Sequence, residues 1–283
     1  MQKKYQRDII DRIFVAYKPS GIGSNKFLSQ LKRKYNAKKA GFSGTLDPFA
    51  KGVLIIAFGR LTRLFSHLKK VPKTYRSTLW LGVDSDTLDI EQGVTHLTSP
   101  TFKQETILST LESFIGDFTY VPPKYSAKKI DGKRAYELAR AGEEVVLKTV
   151  TSHIYNIKFL NYTHPFITFE ASVSEGTYIR SLGEHIAKAL GTSGVLSMLE
   201  RLHEGMFYFE NEKALDPINL IDAKENTYLG SDEDIELGKK IALNELKIQE
   251  DGKYIISSKD NFAIIAITKG EVSYLLNRVM QKC

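Results

Sequence analysis

Strand-like and helix-like segments follow one another along this chain without settling into a regular βα repeat, and that irregularity most restricts the fold. Ile13 to Tyr17 is a short apolar run that ends at Lys18-Pro19-Ser20-Gly21, so it reads as a strand and then a turn. Ser24 or Asn25 can cap a following helix, whose apolar residues Phe27, Leu28, Leu31 and Tyr35 recur at helical spacing. After a glycine-rich loop, Val53 to Phe58 and Thr74 to Leu81 read as strands and Thr106 to Ile115 as a helix. Ile154 to Leu160 and Phe166 to Val173 are two more strands. Ile179, Leu182, Ile186 and Leu190 mark a helix closed by Gly191. Strands mixed with helices in this order predict an α+β fold with an antiparallel or mixed central sheet, in place of a doubly wound parallel one.

Two segments stand apart from that core. Pro123 to Ser152 is polar, basic and turn-prone, with a short helix at Ala135 to Ala141, and is expected to be an inserted arm. The composition shifts at Gly230-Ser231-Asp232-Glu233-Asp234, an acidic joint. Beyond it Ile235 to Leu237, Tyr254 to Ser257, Phe262 to Ile267 and Val272 to Leu276 are short strand candidates. The expected organisation is a main domain over 1–229, with the arm at 123–152, and a small β-rich domain over 230–283.

The net charge of +7 is unevenly placed. Between Asp11 and Asp47 there is no acidic residue, while Arg12, Lys18, Lys26, Lys32, Arg33, Lys34, Lys38 and Lys39 are all basic. Such segregation suits a polyanion, because each phosphate neutralised releases condensed counterions. No apolar run approaches the roughly 20 residues of a membrane span. The first residues lack the apolar core of a secretory signal, and the single cysteine, Cys283, excludes a disulfide framework; a cytoplasmic protein is expected. Gly21-Ile22-Gly23 lacks the third glycine of a dinucleotide fingerprint and any Gly-Lys-Ser/Thr. The six histidines are dispersed, so no metal or other cofactor is expected.

Asp47 has two local readings. Leu46-Asp47-Pro48 has the form of a helix start, with Asp as the cap and Pro in the first helical position. Its flanks suggest a functional carboxylate instead: Gly41, Gly44, Gly52 and Gly59 permit close approach of a ligand, and the acid-free basic segment leads into it. On the strand that follows, Lys73 and Tyr75 share a face, an arrangement able to pair with a phosphate and stack on a base. Arg180 stands near a helix start, where the macrodipole disfavours a cation, so a buried carboxylate partner is expected to hold it.

Taken in order, these segments resemble the TruB family of tRNA pseudouridine synthases. The resemblance rests on Lys18-Pro19-x-Gly21-x-x-Ser24-Asn25, on Gly44-x-Leu46-Asp47-Pro48-x-Ala50-x-Gly52-Val53-Leu54 and on Lys73-x-Tyr75. It continues through Pro123-x-Tyr125-Ser126-Ala127-Lys128, Gly132-x-Arg134-Ala135-Tyr136 and Gly176-Thr177-Tyr178-Ile179-Arg180-Ser181-Leu182. It implies a cytoplasmic enzyme that isomerises uridine to pseudouridine in the T-loop of tRNA, at the position conventionally numbered 55. It further implies a monomer that needs neither a cofactor nor an obligate protein partner. Asp47 would be the catalytic carboxylate, Arg180 its partner keeping it ionised, and Tyr75 the residue stacked on the flipped base. Lys18, Lys73, Tyr178 and Leu199 would bind or line the substrate site. Lys124, Tyr125, Lys128, Lys129 and Arg134 would contact RNA from the arm, and the last segment would be a PUA-like RNA-binding domain. The family commonly has Gly-His-Thr-Gly before the aspartate; here Gly41-Phe42-Ser43-Gly44 leaves Phe42 to act by stacking or as a wedge.

Overall fold

The computed structural model describes residues 11–130 and 132–280. The first ten residues and Cys283, on which the readings of targeting and thiol chemistry rested, lie outside that range, as does Asp131 of the arm. In chain order the first elements are β1 (Arg12–Lys18), α1 (Ser24–Lys34), β2 (Ala40–Phe42), β3 (Lys51–Phe58), β4 (Lys73–Leu81), β5 (Val83–Asp84) and β6 (Thr95–His96). There follow α2 (Gln104–Glu112), β7 (Gly116–Tyr120), β8 (Lys129–Ile130), β9 (Lys133–Arg134), α3 (Ala135–Arg140), β10 (Val150–Thr163) and β11 (Phe166–Val173). The chain continues with α4 (Ile179–Ala189), β12 (Gly194–Glu204), β13 (Lys224–Glu225), α5 (Asp232–Leu237), β14 (Gly252–Ser257), β15 (Asn261–Thr268) and β16 (Glu271–Met280).

An eight-stranded sheet forms the centre, in the order β1-β3-β12-β4-β11-β10-β7, with β2 alongside β3. Its pairs are antiparallel except β12 on β3, so the sheet is mixed, as the sequence predicts. Strand alternation divides the core. Phe14, Ala16, Leu54, Ile56 and Phe58 face Phe27 and Leu31 of α1. Ile13, Val15, Val53, Ile55 and Ala57 point the other way, into a cluster shared with Ile255, Phe262, Ile264 and Val279. The C-terminal sheet, β13-β14-β15-β16, therefore shares buried apolar surface with the first strands of the chain, and its first strand already begins at Lys224. On the opposite side of the long strands, α2 and α4 pack over Leu79, Ile167, Phe169 and Leu196.

The parallel junction of β3 and β12 needs a glycine. Gly52 has φ +116°, and a Cβ there would lie 2.2 Å from the carbonyl oxygen of Arg201. Any side chain would push β12 off β3 at the point where the chain leaves the Asp47 loop.

Several boundaries differ from expectation. Ile235 to Leu237 is the end of a helix, α5: Ser231 caps it by accepting from the Glu233 N–H, three acidic residues fill its first turn, and Gly238 closes it in the left-handed conformation. α2 starts two residues before the expected Thr106 and ends at Glu112. The last three residues of the expected arm, Val150 to Ser152, belong to β10. Neither Ser24 nor Asn25 caps α1: Gly23 holds that position, and Ser24 is otherwise engaged.

Candidate active site

Asp47 does not start a helix. The chain turns there, with the Ala50 N–H donating to the Asp47 carbonyl at 3.1 Å, and enters β3 at Lys51. What shapes the loop is a set of clips to the β1–α1 turn. Ser24 Oγ donates to the Leu46 carbonyl at 2.8 Å and accepts from the Leu46 N–H at 3.0 Å. The Gly21 N–H reaches the Pro48 carbonyl at 2.8 Å. Lys18, fully buried, donates from Nζ to the carbonyls of Ala50 at 2.6 Å, Ile22 at 2.7 Å and Pro19 at 2.9 Å. Burial pulls its ammonium down to about 8, against the opposing fields of Asp47 and Glu91. Lys18 thus holds the loop from behind and lines neither of the two cavities that meet at Asp47.

Arg180, the second residue of α4, reaches across to that loop. Its Nε lies 2.9 Å from Asp47 Oδ2, and its Nη1 lies 3.2 Å from Asp89 Oδ2. Nη1 also donates to the Thr87 carbonyl at 2.7 Å, and Nη2 to the Tyr125 carbonyl at 2.8 Å. The expected carboxylate partner is present, and there are two. Asp89, buried, is itself oriented by the Thr87 hydroxyl at 2.6 Å and the Glu91 N–H at 3.0 Å. The guanidinium fork is fixed on several sides before any ligand arrives.

Arg180, read as the partner that keeps Asp47 ionised, does not bring that carboxyl below the ordinary carboxylate range. The carboxyl is instead pushed above it: burial is the largest cause, opposed by Arg180, with the negative charge of Asp89 adding to the rise and Lys18 opposing it. The Asp47 side chain is still 31% exposed, so it can meet a ligand while remaining paired.

A cavity of about 290 Å³ opens over this pair, lined by Asp47, Arg180, Tyr75, Tyr178, Leu199 and Lys73 among others. The sequence-predicted residues on β4, β12 and α4 thus converge on one space. Tyr75 and Leu199 form apolar wall, both largely buried. Tyr178 is set by its own N–H, which donates to the Tyr120 hydroxyl at 2.9 Å. Lys73 is not a free cation: it is buried, with Nζ 2.9 Å from Glu204 Oε2, and Glu204 in turn pairs with Arg201 at 2.9 Å. Arg201 donates to the carbonyls of Val53 at 2.8 Å and Gly44 at 3.2 Å, tying this buried cluster to both ends of the Asp47 loop.

From the arm, Lys128 lines the same cavity, and Tyr125 lines a second one of about 250 Å³ that shares Asp47 and Arg180 with the first. Lys124, Lys129 and Arg134 are exposed, Arg134 donating to the Ala127 carbonyl at 2.6 Å. Phe42 lines neither cavity. It is half-buried on β2, opposite Ile56, packed with the apolar cluster under α1.

Sequence reasoning missed Asp89, Glu204 and Arg201 and did not read β12 as a strand, although Leu199 on it was expected at the substrate site. Asp89 follows Leu88, whose φ of +58° marks an irregular turn that no motif announces. β12 breaks alternation at two register shifts, and it turns Arg201 and Glu204 inward where a strand pattern expects apolar side chains.

The model of the N-terminal domain of the TruB family of pseudouridylate synthases matches residues 32–179. The chain is 54% identical to "tRNA pseudouridine synthase B" of Nitratiruptor sp. over 96% of its own length and 99% of that protein's. It is 48% identical to the protein of that name from Campylobacter jejuni strain 81-176, over 97% and 100% of the two lengths. Among solved structures, a chain of a Cbf5–Nop10–Gar1 complex superposes with a TM-score of 0.67 at 20% identity, covering 96% of this chain and 84% of that one, which shows a common fold. The α+β architecture with its mixed central sheet is accordingly that of the pseudouridine synthases, and this chain belongs to the TruB family of pseudouridylate synthases.

Proposed function

We propose that this protein converts uridine to pseudouridine in tRNA, at the T-loop position conventionally numbered 55, with Asp47 as the catalytic carboxylate. The observation that carries the reading is a partly exposed carboxylate, clamped by Arg180 at 2.9 Å, facing a cavity walled by Tyr75, Tyr178 and Leu199. The names of relatives at about 50% identity over nearly the full chain support tRNA as the substrate.

The reaction breaks the ribose C1′–uracil N1 and C5–H bonds and forms C1′–C5 and N1–H bonds, so the proton lost from C5 is matched by one gained at N1 and there is no net redox change. A stacked base cannot reach such a cavity, so the uridine must be flipped, at a cost of about a few kcal/mol. Loop nucleotides suit this because their bases splay readily onto aromatic side chains. Tyr75, in the cavity wall, would stack on the uracil, with Leu199 and Tyr178 completing the slot. Asp47 acts at the sugar, either attacking C1′ or assisting glycosidic cleavage and taking a ribose proton. Arg180 orients that carboxylate and favours its ionised form against burial. Lys124, Tyr125, Lys128, Lys129 and Arg134 would grip the stem-loop from the arm. The β-rich unit over 230–283 would serve as a PUA-like RNA-binding domain beside a catalytic unit over 1–229. The protein would act as a monomer without a cofactor or protein partner.

The test is incubation of the purified protein with an unmodified T-stem-loop RNA, followed by mapping of pseudouridine at each nucleotide. Product at the loop uridine supports the reading. Tight binding with every uridine left unaltered would instead mark an RNA-binding protein that keeps the scaffold without the chemistry.

A further inference from the structure

One surface feature is not used by the chemistry above. The solvent side of α1 carries Asn25, Ser29 and Lys32, with Asn36 following just beyond its end, at steps of four, three and four residues, so they form one stripe along the helix. Its opposite side is buried through Phe27 and Leu31. The stripe starts at the Asp47 site, where Asn25 lines the second cavity. It ends in a shallow concavity of about 400 Å³ lined by Ser29, Lys32, Arg33, Asn36, Ala37 and Lys38. No acidic residue lines that concavity, and none occurs in the sequence between Asp11 and Asp47. Of the cations on this segment, Lys34 pairs with Glu212, whereas Lys26, Lys32, Arg33, Lys38 and Lys39 have no acidic partner among the described residues.

Lys32, Arg33 and Lys38 line one concavity, where like charges repel, and no acidic side chain among the described residues offsets them. A polyanion that neutralises them gains from counterion release. At 1.5 Å per residue, Lys32 stands about 10 Å along the helix from Asn25. That is a span of a few nucleotides along one strand of an A-form RNA stem. Resting on the function proposed above, we infer that the Asn25–Lys38 face of α1 is a backbone-binding track for the RNA stem adjoining the loop whose base enters the cavity. Its ligand is the sugar–phosphate backbone, without regard to sequence. Lys32, Arg33 and Lys38 contact phosphates, while Asn25, Ser29 and Asn36 offer hydrogen bonds along the way.

The test compares wild type with the triple variant Lys32→Gln/Arg33→Gln/Lys38→Gln. Two RNAs are used, one with the loop on a long stem and one comprising the loop segment alone, without a stem. On the long stem, the slope of log affinity against log salt should fall by on the order of 2 to 3, about one for each phosphate no longer neutralised. The single-turnover rate at saturating RNA should be unchanged, and the stemless RNA should bind both proteins alike. A second variant, Lys32→Arg/Arg33→Lys/Lys38→Arg, keeps the charges and should keep the wild-type slope. Unchanged affinity and slope for the Gln variant on the long stem, while wild type still makes pseudouridine, overturns the track and leaves the activity standing. Loss of slope in a protein whose wild-type form makes no pseudouridine supports the track and overturns the activity.

Discussion

Arg180 Nε lies 2.9 Å from Oδ2 of Asp47, and the same guanidinium is shared with Asp89 through Nη1 at 3.2 Å. One cation thus serves two carboxylates of unequal exposure: Asp89 is buried, whereas Asp47 reaches the cavity. The buried acid fixes the arginine, and the arginine presents the other acid to the ligand.

This division of labour predicts the effect of Asp89→Asn. The amide can still accept from the Thr87 hydroxyl and the Glu91 N–H but cannot balance Arg180. Breaking one side of a buried pair typically costs about 3 kcal/mol, and a displacement of about 1 Å at a reacting group about 100-fold in rate. Denaturant unfolding should show a loss near the first figure. Single-turnover assays should show a rate fall on the order of the second, with RNA affinity little changed.

The pH profile follows from the carboxyl itself. Catalysis by Asp47 needs the ionised form, so activity is lost as pH falls through its pKa, which burial and Asp89 raise above the ordinary value. The acid limb of the single-turnover rate should therefore lie above about 3.9, the value of a free aspartate. Asp89→Asn removes a charge that contributes to the rise, so the limb should move to lower pH even as the maximal rate drops. A limb at or below the free-aspartate value in the wild type would contradict the burial argument.

Lys18 should be more important to the fold than to binding. Lys18→Met leaves three carbonyls of the β1–α1 turn and the Asp47 loop without their donor, at roughly 1–3 kcal/mol for each group left unsatisfied. The ammonium titrates at about 8 when folded and at 10.5 by its ordinary value, so between these the unfolded chain binds more protons. The Lys18 contribution to stability consequently rises with pH over that window. The stability difference between wild type and Lys18→Met, measured by denaturant midpoint, should widen from pH 8 to pH 10.

Two glycines in the left-handed region should respond differently to alanine. Gly52→Ala places a methyl 2.2 Å from the Arg201 carbonyl oxygen and should cost at least about 4 kcal/mol or prevent folding. Gly21→Ala, at φ +83° with open space around it, should cost only about 1–2 kcal/mol for the backbone conformation.

How legible this was in the sequence depended on whether a residue's role is local. β1, β3, β4 and β11 have apolar runs or alternation that survive into the structure, because both or alternate faces are buried. Arg180 announced a missing partner through its position near a helix start, and the structure supplies Asp47 and Asp89. Asp47 itself obeyed a local rule for helix caps that tertiary contacts override, since Ser24 and Lys18 hold the loop from another part of the chain. β12 stayed hidden as a strand because its inward Arg201 and Glu204 are satisfied by each other, by Lys73 and by carbonyls of the Asp47 loop and β3, a set of pairings no strand pattern reveals. Phe42, read as a wedge beside the aspartate, packs under α1 because β2 pairs with the far end of β3.

The most direct test of the central claim is a single-turnover assay of Asp47→Asn on an unmodified T-stem-loop RNA, beside a binding measurement on the same RNA. Asn preserves the size of the side chain and a hydrogen-bond acceptor for Arg180, so the fold and RNA affinity should be retained. With its carboxylate gone, the variant should form no pseudouridine at the loop uridine that the wild type modifies. Turnover by Asp47→Asn within about tenfold of wild type, less than 1.4 kcal/mol of barrier, would contradict the account.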